Sequence, residues 1–149
     1  MEGTERRENL NMSKESKKTD IRNEQDVTRL VHTFYGYVQK NERLNYIFGE
    51  VADVDWNHHL PNMVDFWSNL LFQTGRYKGR PFRQHLPLPI QREDFSIWLK
   101  LFHSTVDELF EGERARFAKE ISTKIAQSFS LRLEMAGKYD QPREPVDRE

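Results

Sequence analysis

Apolar side chains recur at three- and four-residue spacing in four stretches, the period of a helix with one buried face. The first, NEQDVTRLVHTFYGYVQK, carries Val27, Leu30, Val31, Phe34, Tyr35 and Val38. Asn23 offers a cap there, and Glu24 and Asp26 an acidic first turn. The second, WNHHLPNMVDFWSNLLFQT, aligns His59, Met63, Phe66, Trp67 and Leu70. Asp53 or Asp55 caps it, and Pro61 falls in or near its first turn, where a missing N–H is tolerated. The third, REDFSIWLKLFHSTVDELF, carries Phe95, Trp98, Leu99, Phe102, Val106 and Leu109. Gly112 separates it from the fourth, ERARFAKEISTKIAQSFSLRLEMA, which turns Phe117, Ile121, Ile125 and Phe129 inward and stops near Gly137.

No two-residue alternation and no internal repeat interrupt this pattern, so it predicts an all-α domain over residues 23–136. The connector NERLNYIFGEVADVD turns Leu44, Ile47 and Phe48 inward. The break between the second and third helices, GRYKGRPFRQHLPLP, is too long and proline-rich for an up-down bundle, whose connections are short. Residues 1–22 and 137–149 are polar and cannot bury enough apolar surface to offset ordering, so they read as disordered tails.

Composition sharpens this picture at three points. Cysteine is absent, which excludes disulfides, thiolate catalysis and cysteine-based zinc sites. The formal net charge of -1 gives no electrostatic reason to expect nucleic acid or an anionic membrane as partner. No apolar run approaches the roughly 20 residues of a membrane helix, and the first residues lack the apolar stretch of a signal peptide; the expectation is a cytoplasmic monomer. Aromatic residues, at 12%, are the informative excess, and most lie between Phe34 and Phe129. Side chains this large can fill a small core or wall a cavity.

His85 sits in RPFRQHLPLP, fenced by Pro81, Pro87 and Pro89. Prolines restrict their own backbone and that of the residue before them, so the approach of this imidazole is rigid. An isolated histidine is more commonly a surface or hydrogen-bonded side chain. A second one changes the weight. His59 lies on the apolar face with Met63, Phe66 and Trp67, Tyr35 occupies the inward face of the first helix, and Trp98 that of the third. Three helices each aim one hydrogen-bonding group inward. A pocket for a flat, apolar, metal-centred cofactor uses such a set: His85 ligates iron from one side, and Tyr35, His59 and Trp98 meet a small ligand on the other.

LVHTFYGYV, WNHHLPNMVDFW, YKGRPFRQH and FSIWLKLF, in this order and spacing, resemble the truncated haemoglobins, and among them the third group. The resemblance spans about residues 23 to 133. It implies a two-over-two helical sandwich around haem b, with His85 as proximal iron ligand, Tyr35 and His59 as distal tyrosine and histidine, and Trp98 as the tryptophan beside the ligand. The paired glycines of the other two groups are lacking in QKNERLNYIFGE and FQTGRYKGR. Met63 departs from the smaller or branched aliphatic residue usual in the third group and bears on ligand access. Three roles stay open for His59: contact with the ligand, a swing to solvent as a gate, or ligation of iron itself. His58 points to another face, and His32 and His103 have no convergent partners.

The pocket walls expected are Phe48, Met63, Phe66, Trp67, Phe82, Leu86, Phe95 and Phe102, with Tyr77 and Arg80 as partners of the haem propionates. A neutral proximal histidine keeps ferrous iron able to bind O2. Donors from Tyr35 and Trp98 stabilise it at about 0.5–1.5 kcal/mol each, so together they slow release about tenfold or more. The expected protein is therefore a penta-coordinate haem protein for O2, NO, CO or peroxide. It suits redox chemistry of the NO dioxygenase or peroxidase kind, served by a reductase, better than bulk O2 transport. Two alternatives belong to other classes: a haem-free helical interaction module, and a haem-based sensor acting through a partner.

Overall fold

The computed structural model describes residues 17–79, 81, 85 and 87–140. Arg80, Phe82 and Leu86, expected at the pocket, lie outside the described residues. Among the described residues no strand occurs, and the elements are α1 (Glu24–Lys40), α2 (Glu42–Asn45), a π-helical turn (Tyr46–Val51), α3 (Trp56–Phe72), α4 (Arg92–Leu109) and α5 (Glu113–Met135), closed by a 3-10 turn (Lys138–Asp140). α1 packs against α3 and α4, α4 packs against α5, and α3 meets α5 more lightly.

α1 forms where the pattern places it. The Asn23 side chain accepts from Asp26 N at 2.9 Å, and all six apolar positions named for its inner face are buried. Asp55, not Asp53, caps α3, through Asn57 N at 3.1 Å. Pro61 falls in the second turn of α3 rather than the first, and the carbonyl left without its N–H partner is that of exposed Asn57, within reach of water.

The core centres on a stack of rings. Phe102, 1% exposed, lies between Trp67 (centroids 4.7 Å apart) and Trp98 (5.4 Å), while Phe34 meets it edge-on at 5.2 Å. Burial of each such side chain contributes about 1.5–3 kcal/mol.

α5 departs from its pattern. Phe117 is 42% exposed, and the helix instead buries Ala115, Ala118, Ser122, Ala126 and Leu133. The other expected residues do face inward: Ile121 packs against the core, and Ile125 and Phe129 line a cavity.

The packed chain also begins before residue 23. Ile21 is fully buried, and the Asp20 carboxylate accepts from Ile21 N, Arg114 N and Ala115 N at 2.8–2.9 Å, capping the start of α5 from outside the helix. Gly112, at φ +151°, is required beside it, because a Cβ there would collide with the Asp20 side chain. One isoleucine and one aspartate do this in a polar stretch, which is why composition hides it. Beyond Gly137 the chain folds back, with the Tyr139 hydroxyl 2.9 Å from Ser130 Oγ and Arg92 over the Tyr139 ring.

Asp20→Ala is expected to lower stability by about 1–2 kcal/mol, the scale of a lost cap. Burial acts to raise the Asp20 pKa, but three backbone N–H bonds and Arg114 outweigh it and hold the pKa below 3.8. The sign follows: the contribution is present above pH 3.8 and lost as pH falls through the lower folded value. Denaturation of wild type and Asp20→Asn at pH 7 and near pH 3 checks this; a difference that grows on acidification contradicts it.

Candidate functional site

A cavity of about 240 Å³ opens where α1, the π-helical turn, α3, α4 and α5 meet the segment carrying His85. Most of its wall is apolar: Leu44, Ile47, Phe48, Met63, Phe66, Trp67, Phe95, Ile125 and Phe129 among others. The π-helical turn helps to make it. Its wide hydrogen bond, Ala52 N to Ile47 O at 2.9 Å, is followed by one from Val54 N to Phe48 O at 3.0 Å, and Ile47 and Phe48 lie on the wall.

His85 lines this cavity from the proline-fenced segment. Pro81 and His85 are both helical, one turn apart, and His85 Nδ1 lies 2.5 Å from Pro81 O. A carbonyl oxygen only accepts, so Nδ1 carries the proton and donates, which leaves Nε2 with a free lone pair. Burial lowers the His85 pKa, against the Pro81 bond that raises it, and the ring is held towards its neutral, ligating form. Phe129 meets the ring edge-on at 5.0 Å, and Leu88 N donates to His85 O at 3.1 Å, closing a turn behind it.

Tyr35, His59 and Trp98 line the same cavity. The Tyr35 and His59 rings lie 5.1 Å apart, and Phe34 bridges Tyr35 to Trp98 with centroid separations of 4.8 and 5.6 Å. Burial pushes the Tyr35 hydroxyl well above its ordinary pKa, so it stays protonated and able to donate. His59 is held neutral, its pKa lowered to about 4 by burial first, then by His85 and His58. Its Nε2 is buried without a hydrogen-bond partner among the described residues. A polar atom left so costs about 1–3 kcal/mol unless a ligand completes it.

The Tyr77 hydroxyl is a second orphan at the wall, buried and without a partner among the described residues, its ring edge-on to Phe66 at 5.1 Å. Arg76, in the same segment, is engaged elsewhere, with Asp65 at 3.0 Å and Glu24 at 3.1 Å.

Of the pocket residues expected from sequence and described here, Phe48, Met63, Phe66, Trp67, Tyr77, His85, Phe95 and Trp98 line the cavity. Phe102 does not; it is core, one ring behind Trp98. The sequence reading missed Ala52, Val54, Leu88, Ile90, Asp94 and Ala126. Ala126 and Asp94 could not be flagged by size or hydrophobicity; Leu88, inside the fence, and Ile90, just past it, were legible as apolar residues. His58 and His32 are exposed, and His103 Nε2 joins α4 to α5 through Lys119 O and Thr123 Oγ1 at 3.0 and 3.1 Å.

Among the described residues no three His, Asp or Glu side chains converge on a metal position. One histidine suffices where a macrocycle brings the other ligands, and the cavity's single locked imidazole, apolar walls and two orphaned polar atoms fit a haem. Among the described residues no helix is long and apolar enough to cross a membrane.

Comparison with known proteins agrees with this geometry. Residues 20–130 match the family model for bacterial-like globins. The chain is 31% identical over 115 residues to the group 3 truncated hemoglobin ctb of Campylobacter jejuni, covering 74% of this chain and 91% of that protein. It superposes on the crystal structure of the group III truncated hemoglobin from Campylobacter jejuni with a TM-score of 0.72 and 30% identity, covering 78% of this chain and 95% of that one.

Proposed function

Because the chain belongs to the bacterial-like globin family, in which haem carries the ligand chemistry, we propose that it holds haem b through Nε2 of His85 and keeps the iron penta-coordinate. The observation that carries this reading is the 2.5 Å bond from His85 Nδ1 to Pro81 O. It fixes the tautomer and aims of the ring, as the outer partners of metal-bound histidines do.

Haem, when bound, would supply an iron able to take O2, NO, CO or peroxide. The chain's own residues do the rest. Tyr35 would donate a hydrogen bond from its hydroxyl, and Trp98 one from its indole N–H, to a ligand held there. His59, neutral at pH 7, presents the Nε2 that no protein group satisfies. The buried Tyr77 hydroxyl, with Arg80 in the same segment, takes a propionate. Apolar walls keep water away from the ligand.

Donors that hold O2 suit a protein that reacts it, with NO for instance, or one that activates peroxide, and they disfavour unloading. A reductase partner would return the iron to its ferrous state. The haem-free module is the weaker reading, because it leaves His59 Nε2 and Tyr77 OH buried and unsatisfied.

Tyr35→Phe and Trp98→Phe are each expected to speed O2 dissociation about two- to tenfold, the kinetic equivalent of one neutral hydrogen bond. Stopped-flow displacement of O2 reads this directly. Rates unchanged in both variants would remove the support for ligand retention.

A further inference from the structure

We infer that Arg43 and Asp94 form a clamp that positions His85 and sets the charge of the cavity wall; the inference rests on the haem-binding reading above. Asp94 is 4% exposed and is the one carboxylate among the described residues of the lining. A charge in such a place is costly unless it is paired and hydrogen-bonded. Arg43, on α2, answers it with a two-point contact: Nε to Oδ1 at 2.9 Å and an Nη to Oδ2 at 3.0 Å. Gln91 N donates to the same Oδ2 at 2.8 Å, which caps α4.

The same guanidinium also donates to Pro89 O at 2.8 Å. Pro89 directly follows the turn that the bond from Leu88 N to His85 O closes. On the other side, Trp98 lies one helical turn beyond Asp94. Arg43 is itself followed by Leu44, Ile47 and Phe48, all on the cavity wall. One side chain thus ties the segment that places His85, the helix that carries Trp98 and the element that walls the cavity between them. A partly buried ion pair is weak evidence for stability, and its best-attested use is to specify one arrangement. Arg43 is therefore a positioning residue, acting on iron ligation through Pro89.

The pair also makes a prediction about sign. Without Arg43, Asp94 leaves an uncompensated negative charge on the wall, which favours ferric over ferrous iron. Without the Asp94 charge, Arg43 leaves a positive one, which favours ferrous iron. Haem-loaded Arg43→Met and Asp94→Asn should therefore shift the midpoint potential in opposite directions, down and up. Both loosen the clamp, so both should shift or broaden the ferrous iron–imidazole stretching band and release haem to an acceptor apoglobin severalfold faster. Arg43→Lys keeps the charge and loses the two-point geometry; it should move the band and the haem release but hold the potential near wild type.

A residue that only stabilised the fold would shift both potentials the same way or neither, and that result overturns the electrostatic part. A stretching band and haem release unchanged in Arg43→Lys and Asp94→Asn overturn the clamp. A wild-type protein without an iron–imidazole band would instead overturn the assignment of His85, which keeps the two failures distinct.

Discussion

Haem-loaded His85→Gly protein is expected to lose its five-coordinate ferrous spectrum and to regain it when free imidazole is added. The expectation follows from what the ring does. Its Nδ1 is committed to Pro81 O, so its only open function is the Nε2 lone pair facing an apolar cavity. Glycine removes the ligand and leaves a space of the shape imidazole can fill. The fold should survive, since the His85 ring meets Phe129 and is not part of the ring stack at the centre of the core. Absorption spectra of the reduced protein, before and after imidazole, read the outcome. A spectrum unaffected by the substitution would mean that another residue ligates the iron.

Phe102→Ala carries the largest expected effect on stability, about 3–5 kcal/mol for a fully buried phenylalanine. Its ring is stacked on both faces, by Trp67 and Trp98, and struck edge-on by Phe34, so few neighbours can collapse into the space. Such a loss is a large part of the about 5–15 kcal/mol that holds a domain together. Denaturant midpoints measure it. Trp98 loses the ring it leans on, so O2 dissociation should also quicken although Phe102 does not line the cavity. A loss below about 1 kcal/mol would contradict the placement of the stack at the centre of the core.

That residue also shows where sequence reasoning reaches its limit. Periodicity names the apolar face of a helix, and for α1 it named every buried apolar position. It cannot separate a side chain that fills the core from one that borders a hollow. Phe102 and Phe95 share a face of α4, yet one is core and the other cavity wall. Nor does it rank positions along one helix: α5 buries its alanines fully, sets Ile125 and Phe129 on the cavity wall and leaves Phe117 at the surface. The proline fence made His85 legible, whereas its bond to Pro81 depends on both residues being helical one turn apart. The pairing of Arg43 with Asp94, 51 residues away, leaves no local signal at all. The π-helical turn is equally silent, since no residue type demands its wider hydrogen bonds.

The most direct test of the central claim is a titration of the apoprotein with haemin, followed by the spectrum after reduction with dithionite. The account predicts saturation at one haem per chain and a five-coordinate, high-spin ferrous form with histidine as its protein ligand. No Soret change on titration would contradict haem binding in this cavity, and a six-coordinate ferrous spectrum would contradict the open iron position by placing a second protein ligand on the iron, with His59 the other described imidazole of the lining.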